Sequence, residues 1–156
     1  MKTIYLAGTI SADEGTRWWR QVAQYFLRKL GHQVRDPLRG KVLTVDGKEV
    51  FSDIPGTCFY NRDLRDIRES DLLLVDLTHL DSTNRPSCGT FMEMGYALAL
   101  GKPMIVMCKN PALLVHPFIA NSALAVVEDL DEALKLVAFY FHSAGQELAQ
   151  CGTLKG

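Results

Sequence analysis

Between Asp71 and Met107 the chain spells two short apolar runs with a helix-length segment between them. The first run is Asp71-Leu72-Leu73-Leu74-Val75-Asp76 and the second is Met104-Ile105-Val106-Met107. The segment between, Ser87-Cys88-Gly89-Thr90-Phe91-Met92-Glu93-Met94-Gly95-Tyr96-Ala97-Leu98-Ala99-Leu100-Gly101-Lys102-Pro103, opens on small and polar residues and closes on Gly101 and Pro103. Continuous apolar runs fit strands buried on both faces, and a helix joining two of them makes a parallel crossover. The N-terminus of that helix lies at the carboxyl ends of the strands, where such sheets bind ligands. Here it carries Ser87, Gly89 and Thr90, with the carboxylate of Glu93 about a turn and a half inside. The spacing predicts an anion-accepting helix start with a candidate nucleophile in reach.

The rest of the chain extends the same pattern. Residues 2–7 read as a first strand ending at Gly8, and a polar loop over 9–15 leads to a helix over 16–30. Trp18, Val22, Phe26 and Leu30 recur there at helical spacing, which makes them the expected core stripe, and Gly31 stops the helix. Residues 32–35 form a second short strand. Residues 36–56 are irregular, with Pro37, Gly40, Gly47, Pro55 and Gly56 as turn signals. A stretch of that length in a compact domain is usually functional or mobile, and Val45-Asp46-Gly47-Lys48 suggests a small hairpin within it. A second helix covers 58–69, a polar loop 78–86, and a loop with Pro111 and Pro117 residues 110–122. Residues 123–127 are a fifth strand. Asp129 starts a last helix whose Leu130, Ala133, Leu134, Val137 and Phe141 face the sheet, and the tail 143–156 frays or meets another subunit. Five strands alternating with four helices predict an α/β fold, a flavodoxin-like doubly wound parallel sheet in the order 2-1-3-4-5. Its switch point lies between the first and third strands, so the loops after Ala7 and Asp76 converge where the Ser87 helix begins.

Bulk properties narrow the function. Residues 1–156 suit one domain with a substantial core. Hydrophobic residues make up 47%, yet no run approaches the ~18 apolar residues of a membrane span. The first eight residues read as a strand rather than a signal peptide. A formal charge of −1 offers no electrostatic footprint for nucleic acid. Cys58, Cys88, Cys108 and Cys151 show neither paired metal spacing nor a disulfide framework, so reduced thiols in a cytoplasm are expected.

Each candidate residue has an ordinary role beside the chemical one. Glu93 shares a helical stripe with Ala97 and Leu100, where a carboxylate is costly unless used or paired; a surface glutamate is the alternative. Ser87 is an N-cap or a ligand contact, and both roles coexist if the amides of Gly89 and Thr90 hold an anion. Asp63, read as an early helical acid, has Arg62 or Arg65 as an ion-pair partner. Asp76 either faces the ligand crevice or caps the next turn. Gly8-Thr9-Ile10 lacks the glycine pattern of a Rossmann or Walker loop. Trp18 belongs to packing on the expected stripe, and Arg39 and Lys41 are solvated loop cations or basic groups near the site.

Together, Ile4-Tyr5-Leu6-Ala7-Gly8, the Trp19-Arg20 pair, Asn61-Arg62-Asp63-Leu64 and the run from Gly89 through Glu93 to Pro103 resemble the nucleoside 2-deoxyribosyltransferase family over about residues 3–127. The resemblance implies a flavodoxin-like enzyme without metal or cofactor that cleaves the N-glycosidic bond of nucleosides or nucleotides. It implies Glu93 as the nucleophile on C1′, Asp63 as the second carboxylate assisting the departing base, and Gly8, Thr9 and Ile10 as lining of the base and sugar pocket. It further implies a homo-oligomer whose neighbouring subunit completes the site, with Asn121 and Ser122 near that contribution. Transfer of the sugar to another purine or pyrimidine base is the principal expectation. One departure bears on the substrate: nucleoside-specific members carry an acid where this chain has Ser87, six residues before Glu93. Ser87 resembles the serine of the related deoxynucleoside 5′-monophosphate N-hydrolases, since a hydroxyl donates to a phosphate that a carboxylate repels. Hydrolysis to free base is therefore the alternative, and a non-catalytic nucleotide sensor is the rival of another class.

Overall fold

The computed structural model describes residues 1–10, 14–40, 42–43, 49–50, 55–79 and 87–142. Strand β1 (Thr3–Gly8) leads through helix α1 (Glu14–Lys29) to β2 (Gln33–Arg35). A separate antiparallel ribbon, β3 (Val42–Leu43) and β4 (Glu49–Val50), follows. Then come α2 (Gly56–Glu69), β5 (Leu72–Asp76), α3 (Cys88–Ala99) and β6 (Met104–Met107). The chain continues through α4 (Pro111–Leu114), α5 (Pro117–Ser122), β7 (Ala125–Val127) and α6 (Leu130–Phe141). The main sheet is parallel, in the order β2-β1-β5-β6-β7, which is 2-1-3-4-5 counted along the chain.

Alternation along β1 sorts the two layers. Ile4 and Leu6 pack with Trp19, Ala23 and Leu27 of α1 and with Leu134 and Val137 of α6. Tyr5 and Ala7 pack on the opposite face with Ile67 of α2 and Met94 and Ala97 of α3. All five residues of β5 are buried, because helices cover both faces, and this is why the strand reads as an unbroken apolar run. Gly31 ends the α1 turn at φ 81°, a left-handed conformation that glycine adopts without a Cβ clash.

Three expectations need correction. The buried stripe of α1 is Trp19, Arg20, Ala23 and Leu27, whereas Trp18 is 61% exposed. The helix is rotated because Arg20, polar in the sequence, turns inward to backbone carbonyls of β1. Residues 110–122 are not a loop: Pro111 and Pro117 each open a short helix, α4 and α5. Proline is favoured at a first helical position, where no N–H is needed, and Asn110 caps α4 by accepting from the Ala112 amide at 3.0 Å. These helices raise the count above the four expected. Finally, α2 begins at Gly56, so Asp63 sits mid-helix rather than in its first turn. The turn of the expected hairpin at Val45-Asp46-Gly47-Lys48, Lys41, residues 80–86 and the tail 143–156 lie outside the described residues.

Candidate active site

The carboxyl ends of β1 and β5 lie side by side, with Gly8 in register with Asp76. A Cβ at Gly8 would meet Trp19 Cζ2 at 3.0 Å and the Asp76 carbonyl oxygen at 3.2 Å, so the switch point closes only over glycine. Arg20, 1% exposed, ties this corner together. Its guanidinium donates to the Leu6 carbonyl at 2.8 Å, the Gly8 carbonyl at 2.8 Å and Asp36 Oδ1 at 3.3 Å. Burial lowers the arginine pKa, opposed by the attraction of Asp36 and then Glu93. Thr9 is buried and Ile10 half-buried just beyond the Gly8 that Arg20 binds.

Glu93 is half-buried on α3, flanked by Thr90 and Ala97, which are buried. Tyr5 Oη donates to Glu93 Oε1 at 2.6 Å, a short, charge-assisted bond of a kind worth roughly 1.5–3 kcal/mol. Burial first, then the nearby carboxylates of Glu93 and Asp63, hold the Tyr5 phenol well above its ordinary pKa. The phenol therefore stays a proton donor, and carboxylates from α3 and α2 both act on it. Tyr5 was not singled out in the sequence. The available signal was a hydroxyl inside a strand meant for the core, because a buried tyrosine seeks a partner.

Asp63 keeps the ion pair expected of it: Arg62 Nε and Nη2 both donate to Asp63 Oδ1, at 3.0 and 2.8 Å. Asp76 caps the turn that follows β5. Its Oδ1 accepts from the Thr78 amide at 2.9 Å and the Thr78 hydroxyl at 2.6 Å, and its Oδ2 meets His79 Nδ1 at 2.5 Å. His79 is a further residue the sequence reading passed over. Arg39 is half-buried and fastened rather than loose, because it pairs with the fully buried Asp66 of α2.

Ser87 occupies the N-cap position of α3, yet among the described residues its side chain makes no capping bond. The first amides of a helix have no partner within it, so those of Gly89 and Thr90 are left without one inside α3. Thr90 is 2% exposed and its hydroxyl oxygen has no partner among the described residues. Asn121, exposed on α5, donates back to the Pro117 carbonyl at 2.8 Å, so within one chain it serves its own helix. Ser122 is half-buried beside it, and Ile119 anchors α5 in the cluster that holds Met94 and Ala97.

Residues 4–142 match the family model described as nucleoside 2-deoxyribosyltransferase. Among solved structures, the chain is similar to the 2-deoxyribosyltransferase of the psychrotolerant bacterium Bacillus psychrosaccharolyticus. The identity is 26% and the TM-score 0.63, over 85% of this chain and 90% of that one. It shares its fold with the 2-desoxiribosyltransferase of Leishmania mexicana, at 20% identity and TM-score 0.66 over 91% of this chain and all 100% of that one. The CMP N-glycosidase of Clostridium botulinum has the same fold, at 21% identity and TM-score 0.57 over 89% and 100% of the two chains. No curated protein sequence matches significantly. Among the described residues no helix is long and apolar enough to cross a membrane.

Proposed function

The chain belongs to the nucleoside 2-deoxyribosyltransferase family, an enzyme family of N-glycosidic bond chemistry, and from that premise we propose that Glu93 takes up the deoxyribosyl group and a second base removes it. The observation that carries this reading is the hydrogen bond from the buried Tyr5 hydroxyl to Glu93, with the carboxylate of Asp63 near enough to act on the same phenol. A carboxylate oxygen of Glu93 attacks C1′, the C1′–N bond breaks, and its electron pair leaves with the base. Asp63 assists protonation of that departing nitrogen. The result is a glycosyl ester on Glu93, the two-carboxylate logic of a retaining glycosidase. Tyr5 holds the nucleophile in one rotamer, which fixes the approach to C1′ before the substrate arrives. A ring nitrogen of a second base then attacks C1′, its proton passes to Asp63, and the bond to Glu93 breaks with its electron pair going back to the carboxylate.

A second reading has its own support. Ser87, whose hydroxyl makes no capping bond among the described residues, the first amides of α3 and the buried Thr90 hydroxyl are donors at one helix start, which suits a 5′-phosphate. A 5′-monophosphate N-hydrolase would use the same first half-reaction, with water in place of the second base. A non-catalytic sensor would have no need of a carboxylate held by a buried phenol with a second carboxylate nearby.

A panel of 2′-deoxynucleosides and their 5′-monophosphates, each with and without an acceptor base, tests the proposal. Exchanged product in the presence of acceptor supports transfer, and free base without acceptor supports hydrolysis. Neither product from any member of the panel would refute both.

A further inference from the structure

Arg62 and Asp63 are consecutive residues of α2, and consecutive side chains on a helix point about 100° apart and do not ordinarily face each other. Here two N–H groups of Arg62 nevertheless converge on one oxygen of Asp63, at 3.0 and 2.8 Å. The other edge of the guanidinium explains why. Nη1 donates to the Arg39 carbonyl at 2.6 Å and Nη2 to the Pro37 carbonyl at 2.8 Å. Its flat face lies 5.0 Å from the centre of the Phe59 ring. The loop carbonyls draw the guanidinium to the end of α2's reach, and Asp63 meets it there.

The loop is itself fastened. Asp36 accepts the Leu38 amide at 2.9 Å, and Arg39 is bound to the buried Asp66. Asp63 is therefore oriented by a frame that runs from β2 through Arg62, not by its helix alone. We infer that Arg62 is a positioning residue, which holds the Asp63 carboxyl in the orientation from which it serves the departing base. The inference rests on the reading of Asp63 as the group that assists the leaving base. Lysine supplies a single point donor and fails to reproduce a planar clamp with four bonds.

The test compares Arg62→Met, Arg62→Lys, Asp63→Asn and the Arg62→Met/Asp63→Asn double variant. Each is assayed on donors with natural bases and on an activated donor whose leaving group departs as a stable anion. Arg62→Met is expected to lower kcat on natural bases by about the 10²-fold or more that a lost proton-transfer partner costs, with KM little changed. It is expected to lose little on the activated donor, and the double variant is expected to be no slower than Asp63→Asn. Arg62→Lys should restore only part of the rate, and it serves for the same comparison if Arg62→Met shows no cooperative melt. Equal losses on both donors, or losses that multiply in the double variant while Asp63→Asn stays selective, would overturn the positioning role alone. A uniform loss in Asp63→Asn would overturn the reading of Asp63 as well.

Discussion

Glu93 and Ser87 lie six residues apart and answer different questions, one about the bond broken and the other about the substrate chosen. Glu93→Gln keeps the shape of the side chain and an oxygen for the Tyr5 hydroxyl, but removes the nucleophile. Turnover is expected to fall by several orders of magnitude with the fold unchanged by circular dichroism. A variant that keeps more than a few per cent of the wild-type rate would remove Glu93 from the role. Ser87 is expected to confer a preference for 5′-monophosphates. One fully expressed charge-assisted hydrogen bond, roughly 1.5–3 kcal/mol, amounts to about tenfold or more in kcat/KM. Ser87→Asp should reverse that preference, measured on matched nucleoside and monophosphate pairs; a wild type that prefers the free nucleoside contradicts it. Both residues stand out in the sequence because one helix and its cap carry them. Tyr5 does not, because its partner lies 88 residues away and only the sheet brings them together. The turn role of Asp76 was legible too, since Thr78 and His79 follow it closely and both bond to it.

Elements were legible where hydrophobic period and burial agree. β6 falls on the predicted residues, and α6 packs the predicted Leu130, Ala133, Leu134, Val137 and Phe141 on the sheet. The stripe of α1 was displaced because periodicity weights Trp18 and Val22, whereas the fold buries an arginine that backbone carbonyls satisfy. Pro111 and Pro117 suggest a loop in the sequence, yet at a first helical position each starts a helix. One packing detail between elements predicts a pH dependence. His32, buried at the start of β2, has its Nε2 3.2 Å from that of His142 at the end of α6. Burial, then His142 and the chain's N-terminal amine, lower its pKa below 6.5, against a weaker upward pull from Asp71. The unfolded chain thus holds the proton to higher pH than the folded one. The associated stability is complete above 6.5 and is lost as the pH falls below it. His32→Phe should flatten the dependence of Tm on pH between about 7 and 5. An unchanged slope would show that the pair does not control acid sensitivity.

For the molecule as a whole, the strand order could be read from the sequence because the alternation of strands and helices, with right-handed crossovers, leaves few other arrangements. The association of chains could not, since it depends on surfaces. Val115 and Phe118 are 78% and 75% exposed around α4 and α5, and Met92 and Leu98 are exposed on α3. Exposed apolar groups on these neighbouring elements are what a contact between copies would use. The protein is expected to form at least a dimer, with Asn121 and Ser122 of α5 carried toward a neighbouring site. Light scattering that finds a fully active monomer at working concentration would refute this. The central claim is the covalent glycosyl ester on Glu93, and intact-mass spectrometry after incubation with a 2′-fluoro-2′-deoxy nucleoside or nucleotide tests it most directly. The account predicts a gain of one fluorinated sugar, mapped by peptide sequencing to Glu93 and absent from Glu93→Gln. An adduct on any other residue, or the same adduct on Glu93→Gln, would contradict it.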